Sequence, residues 1–162
     1  MEATPIQAGG GAQQEDHAQW IAHLDGAVTE VVETMLRQRC TAVDGPPAAR
    51  TTISAKIVFS GALEGHCIVH VSTAAADRLT DALLGAESDW DDQMIDDAVG
   101  ELCNMIAGGW KSRLGPPASV CHLSVPAVSR TSTREKSQKS PATTRRFYAF
   151  DGAILEVALT LS

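Results

Sequence analysis

Asp97, Glu101, Asn104 and Gly108 lie in the stretch Asp97-Ala-Val-Gly-Glu101-Leu-Cys-Asn104-Met-Ile-Ala-Gly108-Gly109-Trp-Lys111. On a helix turning roughly 100° per residue, Asp97, Glu101 and Asn104 fall within about 60° of one another, and Gly108 joins the same face. Met94, Ile95, Val99, Leu102, Met105 and Ile106 take the opposite side. The pattern predicts an anchored back and a polar front. That front offers a carboxylate, a carboxamide with both a donor and an acceptor, and a bare glycine surface.

A solvated helix face could carry the same pattern, but three details weigh against that reading. Asn is a poor residue for the exposed middle of a helix. Two adjacent glycines, Gly108 and Gly109, together cost about 2 kcal/mol relative to alanine, tolerable where a neighbouring element or a partner must approach the backbone closely. The acidic run Glu87, Asp89, Asp91, Asp92, Asp96, Asp97 and Glu101 exceeds what the helix dipole needs. Periodicity by itself leaves both readings standing.

The elements that must position this helix belong to a chain of 162 residues, enough for one domain with a real core. Thirteen basic against twenty acidic residues give a net charge of −7. That balance argues against a nucleic-acid binder, which needs a basic field to neutralise phosphates. No apolar run approaches the ~20 residues that span a bilayer, so no membrane partner is expected. The start, MEATPIQAGGGAQQ, has neither the basic nor the apolar region of a secretory signal. Cys40, Cys67, Cys103 and Cys121 are widely spaced, with no CxxC pair. They suit neither a disulfide scaffold nor a zinc knuckle, and a cytoplasmic location is the natural reading.

Residues 1–15 read as a disordered N-terminal tail, because they bury too little to offset ordering entropy. The domain is expected over 16–162. From about Asp16, Ile21, Leu24, Val28, Val31 and Met35 form a helical stripe that Val32 and Leu36 widen. Asp44-Gly45-Pro46-Pro47 makes a loop. Ile53, Ala55, Ile57 and Phe59 alternate as a strand, and Cys67, Val69 and Val71 make its hairpin partner. Ser72 is placed to cap a helix over 73–84 that Gly85 closes. The long helix opens at 88–92 and stops at Gly115-Pro116-Pro117. Strands are predicted over 120–128 (broken or ended near Pro126), 145–150 and 154–161, with Asp151-Gly152 as a two-residue hairpin turn. The order α-β-β-α-α-β-β-β implies an α+β fold of two layers, helices on a mostly antiparallel sheet.

Between Arg130 and Arg146 six basic residues stand against Glu135 alone, a local charge of +5, so the rest of the chain carries −12. The segment reads as a solvated hairpin loop or as an electrostatic docking arm. His66 and His70 share a strand face, but Cys67 points to the other and no third ligand is placed by spacing, so no metal site is expected in this chain. Cys103 reads as a small apolar filler, and Trp20, Trp90 and Trp110 as packing residues, Trp90 with a possible place at an interface.

Asp97-x3-Glu101-x2-Asn104 resembles the D/S-x3-E-x2-N signature of the CheX/CheC/FliY chemotaxis phosphatases, and Met105 to Lys111 resembles the CheX branch. Val31 to Leu36, Phe59-Ser60-Gly61-x3-Gly65 and Leu123-Ser124-Val125-Pro126 extend the resemblance across about residues 20–160. One such motif is present, as in the single-site, CheX-like type. The resemblance implies the CheC-like fold and removal of a phosphoryl group from the aspartate of a CheY-like receiver domain. Asn104 would orient the attacking water. Glu101 would anchor the partner through a lysine. Asp97, Gly108 and Lys111 would lie in the partner-binding surface. The chain would need no cofactor of its own, the Mg²⁺ being held by the receiver. A homodimer is also implied. The alternative is a non-catalytic CheX-like module that binds or scaffolds a receiver.

Overall fold

The computed structural model describes residues 10–45, 52–85, 89–116, 120–131 and 143–162. Ten elements run α1 (Gly10–Met35), β1 (Thr41–Val43), β2 (Thr52–Gly61), β3 (Gly65–Ser72), α2 (Thr73–Leu84), α3 (Asp92–Arg113), β4 (Cys121–Leu123), β5 (Ala127–Thr131), β6 (Thr143–Phe150) and β7 (Ala153–Leu161). The fold is α+β, as expected, with every strand pairing antiparallel. The sheet order is β1-β6-β7-β3-β2, and both β4 and β5 pair with the far side of β2.

Two strands go beyond the expected order. β1 has three residues, too few to show a period of two. The single strand expected over 120–128 is two strands, β4 and β5, laid end to end along β2. Pro126, which has no N–H to donate, sits in the gap between them. The first helix begins at Gly10 rather than near Asp16, since a helix once nucleated extends at little cost through residues such as Ala, Gln and Glu. Of the expected tail, residues 1–9 lie outside the described residues.

Alternation on β2 buries Ile53, Ala55, Ile57 and Phe59 under the helices and leaves Lys56, Val58 and Ser60 exposed. Cys67, Val69 and Val71 of β3 and Leu155, Val157 and Leu159 of β7 continue the same inner face. α3 packs on this face, touching β2 and β3 along its back and both other helices at its flanks. Phe59 and Trp110 meet with ring centroids 5.5 Å apart, and the Trp110 indole donates to the Trp20 carbonyl at 3.3 Å. The tryptophans are packing residues, and Trp90 is tied to Asp81 by its own indole N–H at 2.8 Å. On α1, Met35 does not belong to the buried stripe: it is exposed, while Leu36 beside it is buried.

Local signals act as expected at several joints. Ser72 caps α2 by accepting from the Ala75 N–H at 3.0 Å. Asp151 and Gly152 both take positive φ, 45° and 70°, as a type I′ hairpin turn requires. The basic segment behaves differently from either sequence reading at its two ends. Arg130 pairs with Asp96 at 2.7 Å and with Asp92 at 3.5 Å on α3, Arg145 pairs with Glu156 at 2.7 Å, and Arg146 clamps Asp25. These three guanidiniums are internal fasteners, not a docking arm. Residues 132–142 lie outside the described residues.

Asp25 joins α1 to β6. It accepts two parallel bonds from Arg146, at 2.9 and 2.8 Å, and a third from the Tyr148 hydroxyl at 2.6 Å. Burial first, and the Asp25 carboxylate second, push the Tyr148 hydroxyl far above its ordinary pKa, so it stays a donor at any ordinary pH. Asp25→Ala would strand two donors at once and is expected to cost about 1–3 kcal/mol, read as a lowered denaturation midpoint. Tyr148→Phe keeps the Arg146 pair and should cost less; equal midpoints for both variants and the parent would contradict the joint.

Candidate functional site

α3 is capped by Asp91, whose carboxylate accepts from the Met94 N–H at 2.8 Å. Its back buries Ile95, Ala98, Val99, Leu102, Cys103, Ile106, Ala107 and Trp110. Met94 was expected on that back but is 38% exposed; it lies about 60° from the centre of the polar front at helical spacing. Cys103 is a buried filler whose thiol reaches the Ala55 carbonyl at 3.4 Å. Its neighbour Cys67 has its pKa raised by contact with the Cys103 thiol and by burial.

The front carries Asp97, Glu101 and Asn104, all exposed. Among the described residues no hydrogen-bond partner occupies the side chain of Glu101 or Asn104. Asp97 accepts from the Gln93 amide at 2.8 Å, one turn earlier. Gly108 and Lys111 are half-exposed further along the helix. Much of the acidic run has internal work: Asp91 caps the helix, and Asp92 and Asp96 hold Arg130. Glu87 lies outside the described residues.

The paired glycines prove to have separate reasons. A Cβ on Gly109 would stand 3.4 Å from the Ala27 Cβ of α1, so this glycine lies at the close crossing of two helices. Arg113 finishes that crossing by donating to the carbonyls of Gly109 and Gly26, at 3.1 and 3.2 Å, and by pairing with Glu30. A Cβ on Gly108 would meet nothing within 4 Å. Among the described residues no neighbour accounts for Gly108. A third glycine, Gly100, carries the Ser124–Pro126 bridge: its Cβ would lie 3.4 Å from Pro126 Cβ and from Val128 Cγ2. Sequence reasoning passed over Gly100, and its signal was the single glycine inside the signature itself.

His66 and His70 share the helix-free face of the sheet, as expected, with Cys67 buried on the other. His70 Nδ1 and Ser54 Oγ are 2.6 Å apart. Among the described residues no group of three or more His, Cys, Asp or Glu could hold a metal ion, and no helix is long and apolar enough to cross a membrane.

The site therefore comes down to a free carboxylate and a free carboxamide, less than one helical turn apart on an exposed face with an open glycine beyond them. Residues 53–147 match the family described as "Chemotaxis phosphatase CheX". The chain belongs to the CheX family. No curated protein sequence matches it. Among solved structures it is similar to CheX from Vibrio vulnificus at 16% identity, over 89% of this chain and 97% of that one, with a TM-score of 0.75. CheX from Desulfovibrio desulfuricans is similar at 21% identity, over 89% and 99%, with a TM-score of 0.70. The CheX of the CheX-CheY-BeF3-Mg²⁺ complex from Borrelia burgdorferi is similar at 22% identity, over 88% and 97%, with a TM-score of 0.65. At these identities the likeness is one of fold.

Gly108 gives a test that needs no partner. With open space around it, Gly108→Ala should stabilise the protein by about 0.5–1 kcal/mol through helix propensity alone, seen as a raised melting temperature. A lowered one would mean that the position is packed within the fold.

Proposed function

We propose that this chain hydrolyses the aspartyl phosphate of a CheY-like receiver domain. The observation that carries the reading is the joint exposure of Glu101 and Asn104 on α3, in a chain of the CheX family. The Borrelia burgdorferi complex, in which a CheX of the same fold is bound to CheY with BeF3 and Mg²⁺, supports the choice of partner.

Hydrolysis of an acyl phosphate needs water in line with the leaving oxygen, and most of the acceleration comes from positioning and electrostatics. Water attacks phosphorus, the bond from phosphorus to the aspartate oxygen breaks, and free carboxylate and inorganic phosphate result. Asn104 accepts a hydrogen bond from that water through its carbonyl oxygen and leaves the proton to the phosphate products; an amide is not a base and need not be one here. Glu101 engages an ammonium group of the receiver, fixing the partner so that Asn104 meets the phosphorus from the side opposite the aspartate. Asp97, steadied by Gln93, extends the acidic front. Gly108 lets the partner's backbone come close, and Lys111 closes that surface at its far end. Charge neutralisation on the phosphoryl group falls to a Mg²⁺ held by the receiver.

The test is phosphate release from purified phospho-receivers, screened as a panel to find the one that responds. Asn104→Ala is expected to lose about 10²-fold in rate, the size of effect seen when one positioned polar group is removed, while still binding the receiver. Full retention of the rate would overturn the role. Binding by the parent protein without any acceleration would establish the receiver-binding module instead. Gly108→Ala should weaken receiver binding even as it stabilises the fold.

A further inference from the structure

Val125 is the most exposed of the large apolar residues among those described, at 85%. Isolated exposed valines are ordinary on protein surfaces; the mounting of this one is not. Ser124 before it is bonded to Val58 at both ends: the Val58 N–H donates to the Ser124 hydroxyl at 2.9 Å, and the Ser124 N–H donates to the Val58 carbonyl at 3.0 Å. The same hydroxyl donates to the Val125 carbonyl at 3.0 Å. Pro126 after it has its φ fixed by the ring and lies over Gly100, where a Cβ would stand 3.4 Å from Pro126 Cβ. The break between β4 and β5 is thus a rigid bridge seated on α3, at the residue preceding Glu101 and one turn before Asn104.

Resting on the reading of the site given above, we propose that Val125 is a docking contact for the phosphorylated receiver, and that the 124–126 bridge sets how far the receiver stands from Asn104. The occupant follows from continuity and charge. The bridge borders the face where Glu101 and Asn104 are free, so a domain that meets those side chains also reaches Val125. Asp97 and Glu101 select a partner with basic groups there, and Val125 asks for an apolar patch beside them. A bridge whose backbone is already held by these bonds loses little conformational freedom on binding, which is the condition under which a small apolar contact contributes most to affinity. Gly100 lies directly beneath this mount, where a Cβ would stand 3.4 Å from Pro126 Cβ.

The experiment measures the phosphate-release rate against receiver concentration for the full chain and four variants. Val125→Asp is expected to raise the half-saturating receiver concentration about tenfold, the effect of losing one good interface contact, with the saturated rate within twofold of the parent. Val125→Ile should restore saturation. Leu84→Asp changes a residue at the end of α2 that is 52% exposed, and it should leave both parameters unchanged. Asn104→Ala should lower the saturated rate instead. If Val125→Asp saturates like the parent while Asn104→Ala is slow, the docking role is wrong and the catalytic reading stands. If Val125→Asp lowers only the saturated rate, the docking role is also overturned. If Asn104→Ala keeps its rate, the reading of the site falls, and this inference with it.

Discussion

Helix α3 must keep one side dry, and this requirement orders the rest of the molecule. Leu102, Cys103, Ile106 and Trp110 are fully or almost fully buried against the sheet and its flanking helices. A turn of the helix by one residue, roughly 100°, would carry Glu101 or Asn104 toward the core and bring Leu102 or Met105 toward water. Burying a carboxylate without a partner is costly, and exposing a large apolar side chain forfeits about 1.5–3 kcal/mol. The orientation of the polar front is therefore set from behind, by packing, and needs no help from the polar groups themselves. Glu101 and Asn104 can remain unpartnered within the described fold, which is the state a surface needs if it is to engage another molecule.

The contacts around α3 divide into those that hold it and those left open. At its start, Arg130 draws Asp92 and Asp96 toward β5. At its end, Arg113 ties it to α1 across a crossing made close by Gly109 and Ala27. Between these, Gly100 receives the 124–126 bridge and Gly108 faces open space. These small residues differ in their surroundings along one helix, and only the last is a helix-weakening residue that no packing among the described residues explains. That asymmetry links stability to function: the protein tolerates a weaker helix at the position where the proposed partner would approach.

Much of this was readable before any coordinates. The stripe on α3 placed Asp97, Glu101 and Asn104 together because a helix has a fixed period, and the hairpin at Asp151-Gly152 was readable because few residues accept positive φ. Ser72 announced α2 in the same local way. What could not be read depended on contacts distant in sequence. Gly108 and Gly109 look alike in a sequence; Ala27, more than eighty positions earlier, tells them apart. Arg130, Arg145 and Arg146 look like a solvated basic cluster until their partners Asp96, Glu156 and Asp25 are brought beside them. Met94 sits at the margin of its stripe, where a small rotation decides between core and solvent, and Met35 falls on its stripe but is the last residue of α1, where that face runs past its cover. The family resemblance extended the sequence reading because its residues are spread from the first helix to the strands beyond α3, and the match over residues 53–147 agrees with it.

The most direct test of the central claim is a structure of this chain bound to its receiver, with trifluoroberyllate in place of the phosphoryl group. The account expects the exposed face of α3 to cover the receiver's acceptor aspartate, the Asn104 carboxamide within hydrogen-bond reach of the fluoride or of a water beside it, and Glu101 paired with a receiver ammonium group. A receiver seated elsewhere, with Glu101 and Asn104 still facing solvent, would contradict it.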